Sequence, residues 1–498
     1  MYSAKDAGTL KHIIEPYFSA GVLTSSDREW IEAKLQPLRD FIENSPLRGE
    51  LFWIAFREKF FGFANPLVQD KKIPMNAANL CPELTPLLEV ANLLRLRYNE
   101  NVSQQQRMSK GIRVQQLEWA RKQIAEGLGI IDIKPEDEDT ISIAIVRNAS
   151  EANNAVSRSF DGWNPNGTDN VVLWEENHPT NLAAWELRAN KNNFEKPPEH
   201  DLGQPLGESS GAKDLFKIRK VTFAHNCSDE NILKAFTDQI DNNTRFVSYS
   251  WISNSKGFRI PDRVIEGIWD YVQSNFPNCH IHVDGTMAWG ARKVNLVEKP
   301  FCHSFVSSAH KWFLGPKETG ILWMDQEKVK NFIPSIYAYN YKIAIPPKLP
   351  NSALRFELLG QRDDVNLITL GITQEMWLCL EKSDRNPYGR VKELNQFLVD
   401  QLKGLKTQTE GIPWNFITPT EESRRLGIIV IDITKVPSNP PEILYDWLYE
   451  NKGIAGNGGE TTFRLCPHIY NTEGDIEQAV TGIGEWLRLP RPIQPPAQ

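Results

Sequence analysis

The sequence predicts an α/β protein with a mainly parallel seven-stranded sheet between layers of helices, followed by a smaller α+β domain. Seven short runs between residues 141 and 324 are apolar throughout or nearly so, as in strands that are buried on both faces. Helical stretches such as "PDRVIEGIWDYVQSNF" separate the runs, as connections between parallel strands require. The runs are 141–146, 171–174, 220–224, 245–251, 280–284, 304–308 and 319–324.

Residues 1–72 predict a helical extension ahead of this sheet. The segment "SSDREWIEAKLQPLRDFIENSP" begins with Ser and Asp capping candidates, repeats apolar residues at helical spacing and ends at Pro46. Pro37 predicts a kink or a break within it, because proline lacks the N–H that a helix needs. The aromatic run "LFWIAFREKFFGF" that follows is typical of a core or interface segment rather than of a cofactor site.

The pattern changes again after residue 350, where helical and strand-like runs alternate as in a smaller α+β domain. The stretch 180–215, rich in Asn, Lys, Pro and Gly, predicts a long surface insertion. The predicted division is a helical extension (1–72), a segment joining the small domain (73–104), a large domain (105–350), a small domain (351–490) and a disordered tail (491–498).

Composition excludes several classes of protein. The net charge of −7 gives no reason to expect nucleic acid or an anionic membrane as a partner. The six cysteines are irregularly spaced without a C-x-x-C pair, which argues against a zinc site and a disulfide framework. The N-terminus lacks the pattern of a secretory signal, and no run of apolar residues is long enough to span a bilayer. These features predict a cytoplasmic protein without a metal site.

Polar residues follow five of the predicted strands. In an open α/β sheet, ligands bind beyond the carboxyl ends of the strands. The run 141–146 leads into "RNASEANNA", which opens a helix whose free N–H groups predict an anion site. Later runs lead to four further candidates, which are His178, Asn254, Asp284 and Lys311. Each has an ordinary structural explanation alone, but together they predict one site with an anion cradle, an imidazole, an amide, a carboxylate and an amine.

The segment "VDGTMAWG…SFVSSAHKWFLGPKETGILW" resembles the class V aminotransferase family of pyridoxal-phosphate (PLP) enzymes, which have fold type I. The order of "IPMNAANLCP", "RNASEANN", "ENHPTNLAAW", "SWISNSKG", "LRFELLGQRDD" and "FRLCPHIYNTEGDI" matches as well. The last of these, with "HPTN" and "GQRD", is most similar to the isopenicillin N epimerase-like branch. The resemblance extends over residues 73–490 and leaves the N-terminal extension outside.

The resemblance implies a role for each candidate. Lys311 forms the Schiff base with PLP and acts as a catalytic residue, and a buried lysine is nucleophilic because its pKa is lowered. Asp284 pairs with the pyridine nitrogen of PLP. His178 stacks on the cofactor as a second catalytic residue, and Asn254 donates to its phenolic oxygen. The phosphate is held by Ala149, Ser150, Ser308 and His310.

Four further residues bear on partners and substrates. Gln361 stands where the family reaches the phosphate of the other subunit, which implies a homodimer with shared sites. Arg464 matches the arginine that grips a substrate carboxylate through two parallel hydrogen bonds, and Arg362 is a second arginine near the site. Met287 departs from the family, in which Gln or His usually lies beside the phenolic oxygen.

The resemblance predicts an enzyme that activates the Cα of an amino acid or amine. Transamination, epimerisation, elimination, decarboxylation and C–C bond formation all remain open. The stretch "KGIAGNGGETTF" before Arg464 contains no cysteine, which argues against a cysteine desulfurase. The alternatives are a C–S or C–C lyase, a desulfurase-like member, or a non-catalytic scaffold on the same fold.

Overall fold

A seven-stranded sheet forms the centre of the computed structural model. The residues that the structure describes are 23–65, 67–100, 102, 112–130, 141–164, 168–189, 216–336, 350–357, 360, 362–436 and 443–489. The helices are α1 Ser25–Asn44, α2 Gly49–Phe60, α3 Thr85–Glu100, α4 Ile112–Gly127, α5 Ala149–Ser159, α6 Pro179–Ala189, α7 Asp229–Thr237, α8 Asp262–Asn275, α9 Asp364–Lys382, α10 Pro387–Gln408, α11 Leu444–Lys452 and α12 Glu473–Leu487. Short 3₁₀ helices lie at Gly62–Ala64, Val329–Asn331, Ala353–Phe356 and Glu422–Arg424.

The strands are β1 Ile73–Pro74, β2 Ile143–Val146, β3 Asn170–Trp174, β4 Lys217–Val221, β5 Thr244–Ser250, β6 His280–Asp284, β7 Ser304–Ser308, β8 Gly320–Met324, β9 Asn415–Phe416, β10 Ile429–Asp432, β11 Ile454–Ala455, β12 Asn457–Gly458 and β13 Thr462–Leu465. The large sheet has the order β2-β8-β7-β6-β5-β3-β4. Only β8 runs antiparallel to its neighbours, β2 and β7.

Both faces of this sheet are covered by helices. Val171 and Leu173 of β3 pack into a core that includes α5 and α6, whereas Val172 and Trp174 pack into the larger core on the other face. Successive side chains of a strand point to opposite faces, so a strand between two cores must be apolar at every position. The predicted mainly parallel sheet between two helical layers is therefore confirmed.

Two sequence-based boundaries were wrong. The predicted strand 220–224 lies at Lys217–Val221, at the edge of the sheet. Edge strands carry cationic residues, and Lys217, Arg219 and Lys220 obscured the apolar pattern. The predicted insertion 180–215 begins too early, because α6 continues to Ala189 and packs against the sheet. The rest of that insertion and the tail 491–498 lie outside the described residues.

The C-terminal part has a second, smaller sheet. Its strands are antiparallel in the order β12-β13-β10-β9, and α10, α11 and α12 pack with it around a separate core. β1 pairs in parallel with β11, so the segment after the N-terminal extension is hydrogen-bonded to this part of the chain. The long helix α9 instead contributes buried side chains to the core of the large sheet. The exact domain boundaries stay a prediction.

The helix α1 runs through Pro37, so of the kink or break that Pro37 predicts, the break does not occur. Pro37 leaves the carbonyl of Ala33 without its helical partner. Both residues lie on the exposed face of α1, where water can hydrate that carbonyl. Thr24 and Asp27 form a capping box at the start, in which each side chain accepts from the other's backbone N–H.

The aromatic run of α2 forms a core that reaches the C-terminal part. Phe52, Phe56 and Phe60 are buried, and Phe61 packs against Tyr470 with ring centroids 5.5 Å apart. Arg57 also pairs with Asp475 at 2.7 Å. The run is thus the core segment that its composition predicted. Among the described helices, none is long and apolar enough to cross a membrane.

We predict that Phe56→Ala lowers the free energy of unfolding by about 3–5 kcal/mol, because it removes a fully buried ring from a packed core. Leu51→Ala is the matched control, since Leu51 lies on the same helix and is 64% exposed. Equilibrium denaturation by urea measures both. Equal, small losses in the two variants would contradict a packed core around Phe56.

Candidate active site

A cleft of about 530 Å³, including its open mouth, lies at the carboxyl ends of β2, β3, β5, β6 and β7. Because these strands point in the same direction, the residues that follow them meet at one edge of the sheet. The lining residues are Asn148, Ala149, Ser150, His178, Thr180, Ser250, Ile252, Asn254, Asp284, Thr286, Met287, Ser308, His310 and Lys311. The structure therefore brings together nine of the residues predicted from the sequence.

Lys311 follows β7 and lies mostly buried in the cleft. Burial lowers the pKa of its amine to about 8, with Arg464 adding to the shift and Asp284 opposing it. The backbone after it is held in place, since the Nε2–H of His468 donates to the carbonyl oxygen of Trp312 at 2.6 Å. Gly290, with φ of +91°, belongs to a loop that packs directly against this carbonyl. A Cβ added to Gly290 would lie 2.2 Å from the carbonyl oxygen of Trp312.

Asp284 ends β6 and is buried beside the amine. Its Oδ1 accepts from the backbone N–H of Thr286 at 3.0 Å, and its Oδ2 accepts from Nδ2 of Asn153 at 2.9 Å. No ion pair joins it to any cation within the part of the chain that the structure describes. A buried carboxylate in this state suits a ligand that brings its own positive charge.

His178 lines the cleft directly before the start of α6. Its Nδ1 is 2.8 Å from the Thr180 hydroxyl and also accepts from the Thr180 backbone N–H at 3.3 Å. Because Nδ1 is an acceptor, the ring proton is on Nε2. Burial lowers the pKa of His178, the charge of Asp284 opposes this shift, and the charges of Lys311 and Arg464 add to it, so the net shift favours the neutral ring.

An anion cradle lies at the N-terminus of α5. Asn148 caps the helix by accepting from the Glu151 N–H at 2.9 Å. The Ala149 N–H donates to the Ser308 hydroxyl at 2.8 Å, which leaves that hydroxyl hydrogen for a ligand. The His310 Nδ1 is buried without a hydrogen-bond partner among the described residues. A helix N-terminus with such groups fits a phosphate.

Arg464 on β13 approaches the cleft from the smaller sheet. Its Nη1 donates to the backbone oxygen of Asn254 at 3.0 Å and to Oδ1 of Asn254 at 2.7 Å, while Nη2 donates to Oδ1 of Asn76 at 3.0 Å. The Asn254 side chain thus keeps its NH₂ group free to donate, as the predicted contact with a phenolic oxygen requires. Asn76 was missed, although it lies in the quoted segment "IPMNAANLCP".

One predicted residue, Arg362, is not brought to this cleft. The guanidinium of Arg362 donates to the carbonyl oxygen of Ile145 in β2, and Arg362 does not line the cleft. Gln361 lies outside the described residues. Met287 does line the cleft, where it is buried. Thr180 and Thr286 were missed because only their neighbours carried recognisable chemistry, and the buried Thr286 hydroxyl has no partner among the described residues.

These groups fit PLP on their own chemistry. The cleft contains an amine with a lowered pKa, a buried carboxylate without an ion-pair partner among the described residues, an imidazole whose pKa is also lowered, and a helix N-terminus with N–H and hydroxyl donors. A cationic pyridine nitrogen, an aldehyde and a phosphate are the complementary groups. The fit depends on the residues present rather than on any bound molecule.

Comparisons with known proteins agree with this fit. The sequence profile of the family described as "Aminotransferase class-V" matches residues 211–341. A cysteine desulfurase of Yersinia pestis bv. Antiqua (strain Angola) is 26% identical over 393 residues, 74% of this chain and 82% of the relative. A cysteine desulfurase of Wigglesworthia glossinidia brevipalpis is 25% identical over 218 residues, and the match covers only 44% of either protein.

Solved structures share the fold. The Escherichia coli cysteine desulfurase CsdA has a TM-score of 0.65 at 16% identity and covers 89% of this chain and 99% of its own. The cystine C–S lyase C-DES, in complex with cysteine persulfide, has a TM-score of 0.64 at 17% identity and covers 83% of this chain and 97% of its own. A C-DES mutant is described with glycine covalently linked to the PLP cofactor. The predicted fold type I is confirmed, whereas the isopenicillin N epimerase-like branch is not.

We predict that, with cofactor removed, acylation of Lys311 reaches half its maximal rate near pH 8. The neutral amine is the nucleophile, and a lowered pKa makes it available above about pH 8 instead of above pH 10.5. Peptide mass spectrometry after short treatment with an acylating reagent measures the rate at each pH. Lys311→Met identifies the peptide, and a midpoint above pH 10 would contradict the prediction.

Proposed function

We propose that this chain, a PLP-dependent enzyme of fold type I, activates the Cα of a substrate amino acid through proton transfer by Lys311. The observation that carries the proposal is one cleft with the amine of Lys311, the buried carboxylate of Asp284 and the guanidinium of Arg464 at its edge. When bound, PLP supplies an electron sink for the bond that breaks at Cα.

Each residue then has a separate task toward the cofactor. Asp284 would hold the protonated ring nitrogen, since it is a buried anion without another cation. His178 would lie against the ring in its neutral form. The phosphate would lie at the N-terminus of α5, against Ser150, Ser308 and His310.

Lys311 would both hold the cofactor and move the proton. An amine with a pKa of about 8 is partly neutral at physiological pH, so it could accept the proton that leaves Cα of a bound substrate. Arg464 would bind the substrate carboxylate. Asn76 and Asn254 hold its guanidinium in one orientation, which limits the entropy lost on binding.

The cysteines favour a C–S lyase over a desulfurase that uses a protein thiol. All six lie in the described part of the chain, and none lines the cleft. Cys466 is the cysteine nearest in sequence to Arg464, but it is fully buried and burial raises the pKa of its thiol. One of the structural neighbours is a cystine C–S lyase, described in complex with its reaction product cysteine persulfide. C–S lyase activity is our second, narrower candidate.

We also propose a cytoplasmic homodimer with shared sites, which the resemblance at Gln361 implies. Exposed apolar side chains on and before α3, at Leu80, Leu88 and Leu96, support an interface there. Sedimentation equilibrium should give about twice the chain mass of 56.8 kDa. A single-chain mass at micromolar concentration would contradict the dimer.

We predict that Arg464→Ala lowers kcat/KM for amino acids. The expected loss of transition-state binding free energy is about 2–4 kcal/mol, as when a buried charge pair loses one partner. The assay follows deuterium entering Cα in D₂O by mass spectrometry, over a panel of amino acids and the matching amines without carboxylate. The amines should react equally with both proteins. Arg464→Lys should restore little, because lysine cannot form two parallel hydrogen bonds.

Lys311→Ala is the control in the same assay. It should exchange no Cα hydrogen with any member of the panel. Exchange that persists in Lys311→Ala, or none at all in the wild type, would refute the proposed function. Equal loss of amine and amino acid exchange in Arg464→Ala would refute only the carboxylate role.

A further inference from the structure

Asn153 lies at the junction of a buried hydrogen-bond network beneath the cleft. It belongs to α5, one turn after Ala149, and is 1% exposed. Its Nδ2 is 2.9 Å from Oδ2 of Asp284, and its Oδ1 is 3.0 Å from Nε2 of His282. The network continues from His282 to Ser304 and His280.

The chemistry of the groups determines the direction of every bond. A carboxylate only accepts, so Asn153 must turn its NH₂ group to Asp284 and its oxygen to His282. His282 must then donate from Nε2, which leaves its Nδ1 as an acceptor for the Ser304 hydroxyl at 2.7 Å. Ser304 has no second hydrogen, so His280 donates to it from Nε2 at 2.8 Å.

Two observations agree with this direction. The His280 Nδ1, which carries no proton when Nε2 donates, is buried and has no partner among the described residues. Burial also lowers the pKa of His282 to about 4 and that of His280 well below its usual value, so both rings are neutral. Each ring therefore carries one proton, and the chain cannot run in reverse.

Asn153 serves a second residue of the cleft. Its NH₂ group is 3.4 Å from the Thr180 hydroxyl, which in turn lies 2.8 Å from Nδ1 of His178. If Thr180 accepts from Asn153, its hydroxyl hydrogen is free to go to His178. The same amide thus contacts the carboxylate and supports the tautomer of the imidazole.

We infer that Asn153 is a positioning residue that holds Asp284 charged and oriented toward the cofactor's ring nitrogen. Asn153 is the last donor in a chain of hydrogen bonds that all run in one direction, from His280 through Ser304 and His282. The inference rests on the role proposed for Asp284. Aligned hydrogen bonds polarise one another in a buried site, so the last donor is strengthened by those behind it. His280, His282 and Asp284 alternate along β6, which places all three on one face of the strand.

The test compares Asn153→Leu with Asn154→Leu. The two asparagines are neighbours on α5, but Asn154 is half-buried and, among the described residues, its amide donates only to the Ser150 carbonyl oxygen. PLP labelled with ¹⁵N at the ring nitrogen is added to the cofactor-free proteins, and NMR reports whether that nitrogen is protonated. Titration with PLP gives the dissociation constant in the same samples.

Asn153→Leu should move the ¹⁵N shift toward that of a neutral pyridine and weaken PLP binding about tenfold, the size expected when a buried charge loses a hydrogen bond. Asn154→Leu should change neither. His282→Leu should act in the same direction, whereas His282→Gln, which keeps a donor near Nε2, should resemble the wild type. If Asn153→Leu shows no cooperative thermal unfolding transition and is therefore not folded, the two His282 variants provide the test.

The outcomes separate the inference from the proposed function. A wild-type ¹⁵N shift in both Asn153→Leu and His282→Leu, with PLP bound, would overturn only the inference. Failure of the wild-type protein to bind PLP would overturn the proposed function as well. A network with a merely structural role would lower thermal stability and leave the shift unchanged, which also counts against the inference.

Discussion

The carboxylate of Asp284 lies buried at the end of β6 with two hydrogen bonds and no ion pair among the described residues. Removing a charge from water is costly unless another group offsets it. Lys311 cannot do so fully, because its own burial lowers the pKa of its amine to about 8. The cleft therefore holds a negative charge that its lysine balances only in part, and a cationic ligand group such as the ring nitrogen of PLP would complement it.

This arrangement depends on packing far from the cleft. The carbonyl oxygen of Trp312, directly after Lys311, accepts from His468. Tyr470, two residues after His468, packs against Phe61 of the N-terminal aromatic core. A change in how the N-terminal helices pack would thus act on the backbone beside Lys311. The extension, which lies outside the family resemblance, is physically continuous with the site.

The similarity to solved cysteine desulfurases concerns the fold. The relatives share 16–26% identity with this chain. The groups expected to bind PLP lie on the ends of the parallel strands, where the fold alone brings them together. A thiol in the cleft would be a separate addition, and none of the six cysteines occupies such a place.

The sequence by itself determined the layered fold and most of the site. Fully apolar runs identified the buried strands, and the residues at or just beyond their ends included Asp284 and Lys311, because strand ends are local features. Only the tertiary structure decided the rest. It placed Arg362 on Ile145 instead of in the cleft, and it joined Asn153 to Asp284 and Asn76 to Arg464 across long separations in the chain. Such contacts depend on how helices and sheets pack, and no spacing within one segment can encode them.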